Sequence, residues 1–282
     1  APKQKGNIRV SSTGQIEAYV KNREGERLNF VEIGYMVVER NFILSLYKDI
    51  PNMPDISFTS ILELLVEKGQ IAGLVVEDPY HSISDINRLE LMRDYLHPKK
   101  IILIDRDGVI NLKAPQGEYI PNWEEFEWID DSVNAMKQLS QYGFSFIVIT
   151  NQAGIARGFV SKKELTRMHQ LMISELEQKD IIILDVYVCP HHWDDNCKCR
   201  KPKAGLFYRI AKEYFLRMDK TFYIGDDVRD CEAAYNAGCG SVLIASKQDF
   251  DLVVNKPDWI INASKLSSVL PELVSFMNRI QE

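Results

Sequence analysis

The segment IILIDRDGVIN, residues 101–111, ends an apolar run in two carboxylates two positions apart, Asp105 and Asp107, followed by Gly108. Side chains alternate along a strand, so both acids are expected to reach into one crevice. In such a place one carboxylate can act as nucleophile and the other as general acid and base. The plainer reading of Asp and Gly is a solvated turn, and three further segments weigh against it. FSFIVITNQAGIARG, residues 144–158, sets Thr150 and Asn151 at the end of a second apolar run, where a hydroxyl, an amide and backbone N–H groups suit phosphate oxygens. TFYIGDDVRD, residues 221–230, ends a third run in Gly225, Asp226 and Asp227, with Asp230 on the next turn. A third carboxylate at a strand end makes an oxygen-rich site suited to Mg²⁺. Lys201 supplies a fixed ammonium to offset charge on a nucleophile and a phosphoryl group.

Lys201 directly follows CPHHWDDNCKCR, residues 189–200, which holds three of the chain's five cysteines. Cys189, His191, Cys197 and Cys199 are the ligands expected of a closed, structural Zn²⁺ site with three thiolates and one imidazole. A redox pair would be CxxC, and Cys197 and Cys199 form CxC. A nucleic-acid knuckle finds Trp193, Lys198, Arg200 and Lys201 of the right kind, but Asp194 and Asp195 share the loop. Unliganded surface thiols are the remaining alternative. If zinc binds, it fixes the loop that aims Lys201. Cys231 and Cys239 read as packing residues, and His169 as a surface or half-buried residue of a helix. Arg157 suits a substrate contact or a helix end equally.

The elements that must position these residues alternate from about residue 99 onward. Strands are expected over 100–105, 144–150, 183–189, 221–226, 241–245 and 258–261. Helices are expected over 131–142, 161–179, 204–215, 227–237 and 266 onward, with Ser161 and Glu164 as a capping box. This order predicts an α/β, Rossmann-like parallel sheet with helices on both faces. The strand ends that carry the acids then line the crevice where such sheets bind ligands. With 282 residues, 45% of them apolar, the chain can bury one large core or two smaller ones. The net charge of -6 argues against a nucleic-acid partner. Apolar runs are far short of the roughly 20 residues that span a bilayer, and no apolar leader opens the chain. A cytoplasmic location follows by default.

The order DxDG, Thr after an apolar strand, Lys, then GDxxxD resembles the haloacid dehalogenase superfamily. Within it, DRDGVIN, TNQAGIARG and CPHHWDDNCKCRKP resemble the D-glycero-D-manno-heptose 1,7-bisphosphate phosphatases, with histidinol-phosphate phosphatases as close relatives. The resemblance covers residues 99 to about 265. It implies a capless fold and hydrolysis of a sugar bisphosphate to the 1-phosphate through an aspartyl-phosphate. In this reading Asp105 is the nucleophile and Asp107 the acid and base, Thr150 and Asn151 hold the phosphoryl oxygens, and Lys201 stabilises charge while Arg200 reaches the substrate. Mg²⁺ is held by Asp105, the backbone carbonyl of Asp107 and Asp226, and Zn²⁺ by the three cysteines and His191, with His192 outside the ligand set. Asp227 receives no role. A histidinol-phosphate or polynucleotide 3′-phosphate substrate, and a non-catalytic zinc-stabilised scaffold, are the alternatives.

Residues 1–98 have another texture and are expected to form a separate, smaller α+β segment ending at HPKK, residues 97–100. Two strand-like stretches, IRVSSTGQIEAYVKN and RLNFVEIGYMVVER, flank a turn at REGE, and helices are expected over 58–69 and 86–95. NFVEIGYMVVER and HSISDINRLELMRDYL resemble the C-terminal part of a mannose-1-phosphate guanylyltransferase type of nucleotidyltransferase. The glycine-rich phosphate loop of that family is missing. Val20, Lys21 and Asn22 stand in place of its acidic-Lys-Pro motif, and Ser82 in place of a metal-binding aspartate. The segment is therefore expected not to transfer nucleotides by itself. It reads as a fragment of a bifunctional protein, with which the absence of an initiator Met agrees, or as a degenerate domain kept for packing or oligomerisation.

Overall fold

The computed structural model describes residues 6–22, 27–49, 57–76, 80, 82–83 and 85–281. It divides into two compact units, Ala1–Ile83 and Ser84–Glu282.

In the first unit, β1 (Ile8–Val10) and β2 (Ile16–Tyr19) form an antiparallel hairpin. Phe30 adds a single bridge to Ile8. Helices α1 (Arg40–Asp49) and α2 (Phe58–Glu67) follow, and α2 packs on β2 with Leu62 and Leu65 buried. The hairpin turn falls inside the first expected strand, and the REGE turn lies outside the described residues. The second expected strand does not form beyond that bridge, and a helix unforeseen in the sequence starts at its end. There the Glu39 carboxylate accepts the N–H groups of Asn41 and Phe42, capping α1.

The second unit opens with α3 (Ile86–Leu96), which the sequence reading set ahead of its boundary at residue 98. Its Tyr95 ring lies 4.6 Å from Phe215, which groups it with the elements that follow. Then come β3 (Ile101–Ile104), α4 (Asp130–Gln141), β4 (Ser145–Asn151), α5 (Lys162–Glu177) and β5 (Ile183–Cys189). The chain continues through α6 (Gly205–Tyr214), β6 (Phe222–Gly225), α7 (Val228–Ala237), β7 (Gly240–Ile244), α8 (Lys247–Asp251), β8 (Ile260–Ala263) and α9 (Leu270–Gln281). The six strands pair in parallel in the order β5-β4-β3-β6-β7-β8. This is the α/β Rossmann-like architecture expected, and no helix among the described residues is long and apolar enough to cross a membrane.

The central strands β3, β4 and β6 read as apolar runs because both faces are covered. On one face Ile102, Ile104, Phe146 and Ile224 pack with Met136 of α4, Met172 of α5 and Leu273 of α9. On the other, Leu103, Ile147 and Tyr223 meet Phe207 of α6 and Ala233 of α7. Ser161 caps α5 by accepting the Glu164 N–H, but the capping box stays half made, since the Glu164 carboxylate holds Arg167 at 2.8 Å. Helix α8 escaped the sequence reading because five residues are too short to show a helical period.

The strand order fixes the site. The chain steps outward from β3 through β4 to β5, then returns to the other side of β3 with β6. The switch point therefore lies between the carboxyl ends of β3 and β6, where the crossovers part and leave a crevice. Asp105 follows β3 and Asp226 follows β6.

Candidate active site

Asp105 is buried, and its backbone N–H donates to the Ile224 carbonyl at 2.8 Å, tying the end of β3 to β6. Gly108 then turns the chain with φ of 88°, and a Cβ there would stand 2.2 Å from the Asp226 carboxylate. Only glycine fits on both counts. Oxygens of Asp105, Asp226 and Asp230 lie within 4.8 Å of one another. Lys201, itself 3% exposed, enters this cluster with Nζ 2.7 Å from Asp105 and 2.8 Å from Asp230. It also donates to the Tyr223 hydroxyl at 2.6 Å and the Ile149 carbonyl at 3.2 Å.

Burial pushes the Asp105 carboxyl up, Lys201 opposes that, and Asp230 and Asp226 add to it. For Lys201 burial acts to lower the pKa, and Asp105 and Asp230 outweigh it. Burial and Asp230 likewise raise Asp226, against the exposed Lys113 that pairs with it. Three crowded carboxylates thus face two ammonium groups, one of them a flexible side chain at the mouth. Such a set of hard oxygen donors fits Mg²⁺. Asp105 and Asp226, which follow β3 and β6 at the crevice, are the suitable ligands, while Asp230 on α7 turns both oxygens to the protein. One of its oxygens meets Lys201, and the other accepts the N–H groups of Asp226 and Asp227 at 3.1 Å each. Asp227, left without a role in the sequence reading, caps α7 and holds Arg229 at 2.8 Å.

Strand alternation is not what positions Asp107. The strand ends at Ile104, so alternation does not extend to residues 105–107, and Asp107 is outside the carboxylate cluster. Its carboxylate accepts from Arg106 at 2.8 and 2.9 Å, from Asn111 at 3.0 Å and from Gln152 at 2.7 Å. Burial acts to raise its pKa, but Arg106 and these hydrogen bonds hold it below the usual carboxylate range. Gln152 also donates to Thr150 Oγ1 at 2.8 Å, so Thr150 joins the same network. The Asn151 amide is spent on the backbone of Lys201, accepting its N–H at 3.1 Å and donating to its carbonyl at 3.3 Å. In this state it aims the lysine loop. Arg200 Nη1 is buried without a hydrogen-bond partner among the described residues, as a group waiting for a ligand would be.

Sequence reasoning missed Arg106, Gln152 and Tyr223 as site residues. A signal existed for Arg106, since a guanidinium between two acids at the end of a buried strand must be paired. Arg106 is 1% exposed and its Nη1 donates to His169 Nε2 at 3.0 Å. Arginine only donates, so that nitrogen is the acceptor and His169 is neutral. Burial, then Arg106, depress His169 to about 3, and it is a buried residue, not the surface or half-buried one expected.

Cys189 ends β5 inside the core, and Cys197 and Cys199 return to it across a short turn at 193–195. The sulfur of Cys189 lies 3.7 Å from that of Cys197 and 3.5 Å from that of Cys199, with His191 Nδ1 at 3.6 Å from Cys189 and 3.1 Å from Cys199. A tetrahedron with metal–sulfur bonds of about 2.3 Å has edges near about 3.8 Å, so these donors fit one zinc-sized ion. Burial and the adjoining thiols push Cys199 up to about 12, a crowding that a bound cation relieves. His192 is outside the set and caps the 193–195 turn. Cys231 and Cys239 are buried, as expected of packing residues.

A family model described as polynucleotide kinase 3 phosphatase matches residues 100–256. The D-glycero-beta-D-manno-heptose-1,7-bisphosphate 7-phosphatase of Pseudomonas putida is 35% identical over 176 residues, 62% of this chain and 99% of that protein. A D-glycero-alpha-D-manno-heptose-1,7-bisphosphate 7-phosphatase of Campylobacter jejuni is 33% identical over 149 residues, 53% of this chain and 84% of its own length. Among solved structures, D,D-heptose 1,7-bisphosphate phosphatase from B. bronchiseptica, complexed with magnesium and phosphate, is similar with a TM-score of 0.58 and 30% identity. It covers 63% of this chain and 99% of that one.

Proposed function

Because the chain belongs to the heptose 1,7-bisphosphate phosphatase subfamily of the haloacid dehalogenase superfamily, and is thus a phosphomonoester hydrolase, we propose that it removes the 7-phosphate of a D-glycero-D-manno-heptose 1,7-bisphosphate. The observation that carries this reading is Lys201, buried between Asp105 and Asp230 at the switch point. Lys201 offsets the charge of Asp105 at one oxygen, and the other, which accepts the Arg106 N–H at 2.7 Å, keeps a lone pair for attack on phosphorus.

Asp105 attacks phosphorus, a bond forms to its carboxylate oxygen, and the bond from phosphorus to the sugar oxygen breaks. The departing oxygen takes a proton from Asp107, which must first turn away from Arg106 to carry one. Water then attacks phosphorus and gives its proton to Asp107, now the carboxylate that Arg106, Asn111 and Gln152 stabilise, and the bond to Asp105 breaks. Thr150 lines the phosphoryl site, Asn151 aims the Lys201 loop toward it, and Arg200 faces the substrate. Asp105, Asp226 and the Asp107 carbonyl would hold Mg²⁺, which would supply charge neutralisation for the phosphoryl oxygens. Cys189, His191, Cys197 and Cys199 would hold Zn²⁺, which would fasten the loop that presents Arg200 and Lys201. Three thiols reserved for a metal suit a reducing compartment, and the cytoplasm is the proposed location.

The family model's description keeps a polynucleotide 3′-phosphate as a second reading, opposed by the net charge of -6. Phosphate release across heptose mono- and bisphosphates, histidinol phosphate and a 3′-phosphorylated oligonucleotide, with Mg²⁺ or chelator, tests the choice. Preference for a heptose bisphosphate supports it. Preference for histidinol phosphate or the oligonucleotide overturns the substrate. Residues 1–98 are proposed to be the nucleotidyltransferase-like part of a bifunctional protein, inactive alone. Sugar-nucleotide formation by this chain would contradict that.

A further inference from the structure

We propose that Arg157, framed by Tyr119, Phe159 and Trp193, is the subsite for the phosphate that this enzyme leaves on its sugar. The inference rests on the sugar-bisphosphate reading above and concerns residues to which that reading gives no part. Arg157 is exposed, and it is in a tight turn, not at a helix end. Its guanidinium carbon lies 4.9 Å from the centre of the Phe159 ring, 5.3 Å from Trp193 and 5.6 Å from Tyr119. Nη1 donates to the Tyr119 hydroxyl at 3.2 Å. No carboxylate among the described residues forms an ion pair with it.

That combination is unlike an ordinary surface arginine. Arg167, Arg209 and Arg217, exposed elsewhere on this unit, each meet an acid, Glu164, Glu213 and Asp219 in turn. Arg157 is instead fixed in direction by three aromatic faces that leave its charge uncompensated. Each face adds a small cation–π attraction, and together they remove much of the side-chain freedom that binding would otherwise have to freeze. A pre-oriented guanidinium with open donors is suited to a phosphate, which it can meet with two parallel hydrogen bonds. Phe159 and Trp193 are 57% and 52% exposed, so their rings also offer apolar surface to a sugar.

The platform is built on the rim of the catalytic crevice. Tyr119 comes from the loop after β3, Arg157 and Phe159 from the turn after β4, and Trp193 from the loop after β5, and ligands in such sheets bind outside these strand ends. The turn begins at Gln152, the residue that holds Asp107, and closes through Ile155 N–H to Gln152 O at 3.2 Å and Arg157 N–H to Ala153 O at 3.1 Å. A Cβ at Gly154 would stand 2.9 Å from the Tyr119 ring, so the glycine lets that ring close on the turn. Arg157 is thereby linked by five residues to a partner of the acid and base.

The test compares the heptose 1,7-bisphosphate with the heptose 7-phosphate, which lacks only the phosphate assigned to Arg157. The wild-type protein is expected to favour the bisphosphate. Arg157→Met, which keeps the length and packing of the side chain, should lower kcat/KM for the bisphosphate by about ten- to a hundredfold, mainly through KM. The monophosphate should change less than about threefold, and Arg157→Lys should recover part of the loss. Equal losses on both substrates, or no loss on the bisphosphate, overturn the subsite. A wild-type protein that turns over both substrates equally overturns it too while leaving the phosphatase reading intact. No turnover of either by the wild type overturns the phosphatase reading and the subsite with it.

Discussion

The Lys201 ammonium lies between Asp105 and Asp230, 2.7 Å from one carboxylate and 2.8 Å from the other, with almost no exposure of its own. Asp105 follows β3, Asp230 is in the first turn of α7 and Lys201 is in the loop before α6, and the buried ammonium and the carboxylates offset one another's charge. Lys201→Met leaves two buried carboxylates facing each other. It should destabilise the fold by about 3–5 kcal/mol in urea unfolding and abolish phosphate release. A variant as stable as the wild type would show that the cluster does not depend on the lysine.

Tyr223 reaches the same ammonium from within the core, its hydroxyl 2.6 Å from Lys201 Nζ and its ring 4.9 Å from Phe207. Tyr223→Phe keeps the ring and removes a hydroxyl that accepts from Lys201 and lies 3.2 Å from the Ile149 carbonyl and 3.3 Å from Asp230. Stability should fall by about 1 kcal/mol, while kcat drops about three- to tenfold at unchanged KM through looser placement of the lysine. A rise in KM with kcat intact would place the hydroxyl's effect on binding instead.

The metal loop gives a prediction whose readout is elemental. Replacing Cys199 by Ser should lose bound zinc and lower turnover by at least about tenfold, although no zinc ligand is assigned to the substrate. Zinc content and phosphate release are measured on the same preparation. Normal turnover without zinc would make the metal dispensable.

His169 is held neutral by burial and Arg106, with a folded pKa of about 3 against an ordinary value of 6.5. Below the ordinary value the unfolded chain takes up a proton that the folded protein refuses, so stability falls as pH drops toward 3, and above 6.5 the residue contributes no slope. His169→Gln should flatten stability against pH by up to about 1.4 kcal/mol per pH unit between about pH 6.5 and about pH 4.5. Parallel slopes in urea titrations of the two proteins would contradict this.

The sheet was legible because its central strands, buried on both faces, are apolar runs, and because Asp105 and Gly225 with Asp226 mark where β3 and β6 end. The zinc-type ligand set was legible for a similar reason, since four donors lie within eleven residues and one loop brings them together. Asp107 shows where such reading stops. Period-two alternation holds only while the chain is extended, and the strand ends one residue before Asp105. What turns Asp107 is Gln152 and Arg106, the first of which is forty-five residues away in sequence, and no local pattern encodes that pairing. Tyr223 was hidden for another reason. It stands in an apolar strand as one more aromatic, and only the strand order shows its hydroxyl meeting the lysine. In the first unit, Val37 and Val38 read as strand by propensity, yet both are exposed and unpaired by any strand.

In the proposed reaction Asp105 is the nucleophile that takes the phosphoryl group. Asp105→Asn, nearly isosteric, should leave the fold and zinc content unchanged and reduce phosphate release from a heptose bisphosphate to background. Full phosphate release by that variant would contradict it.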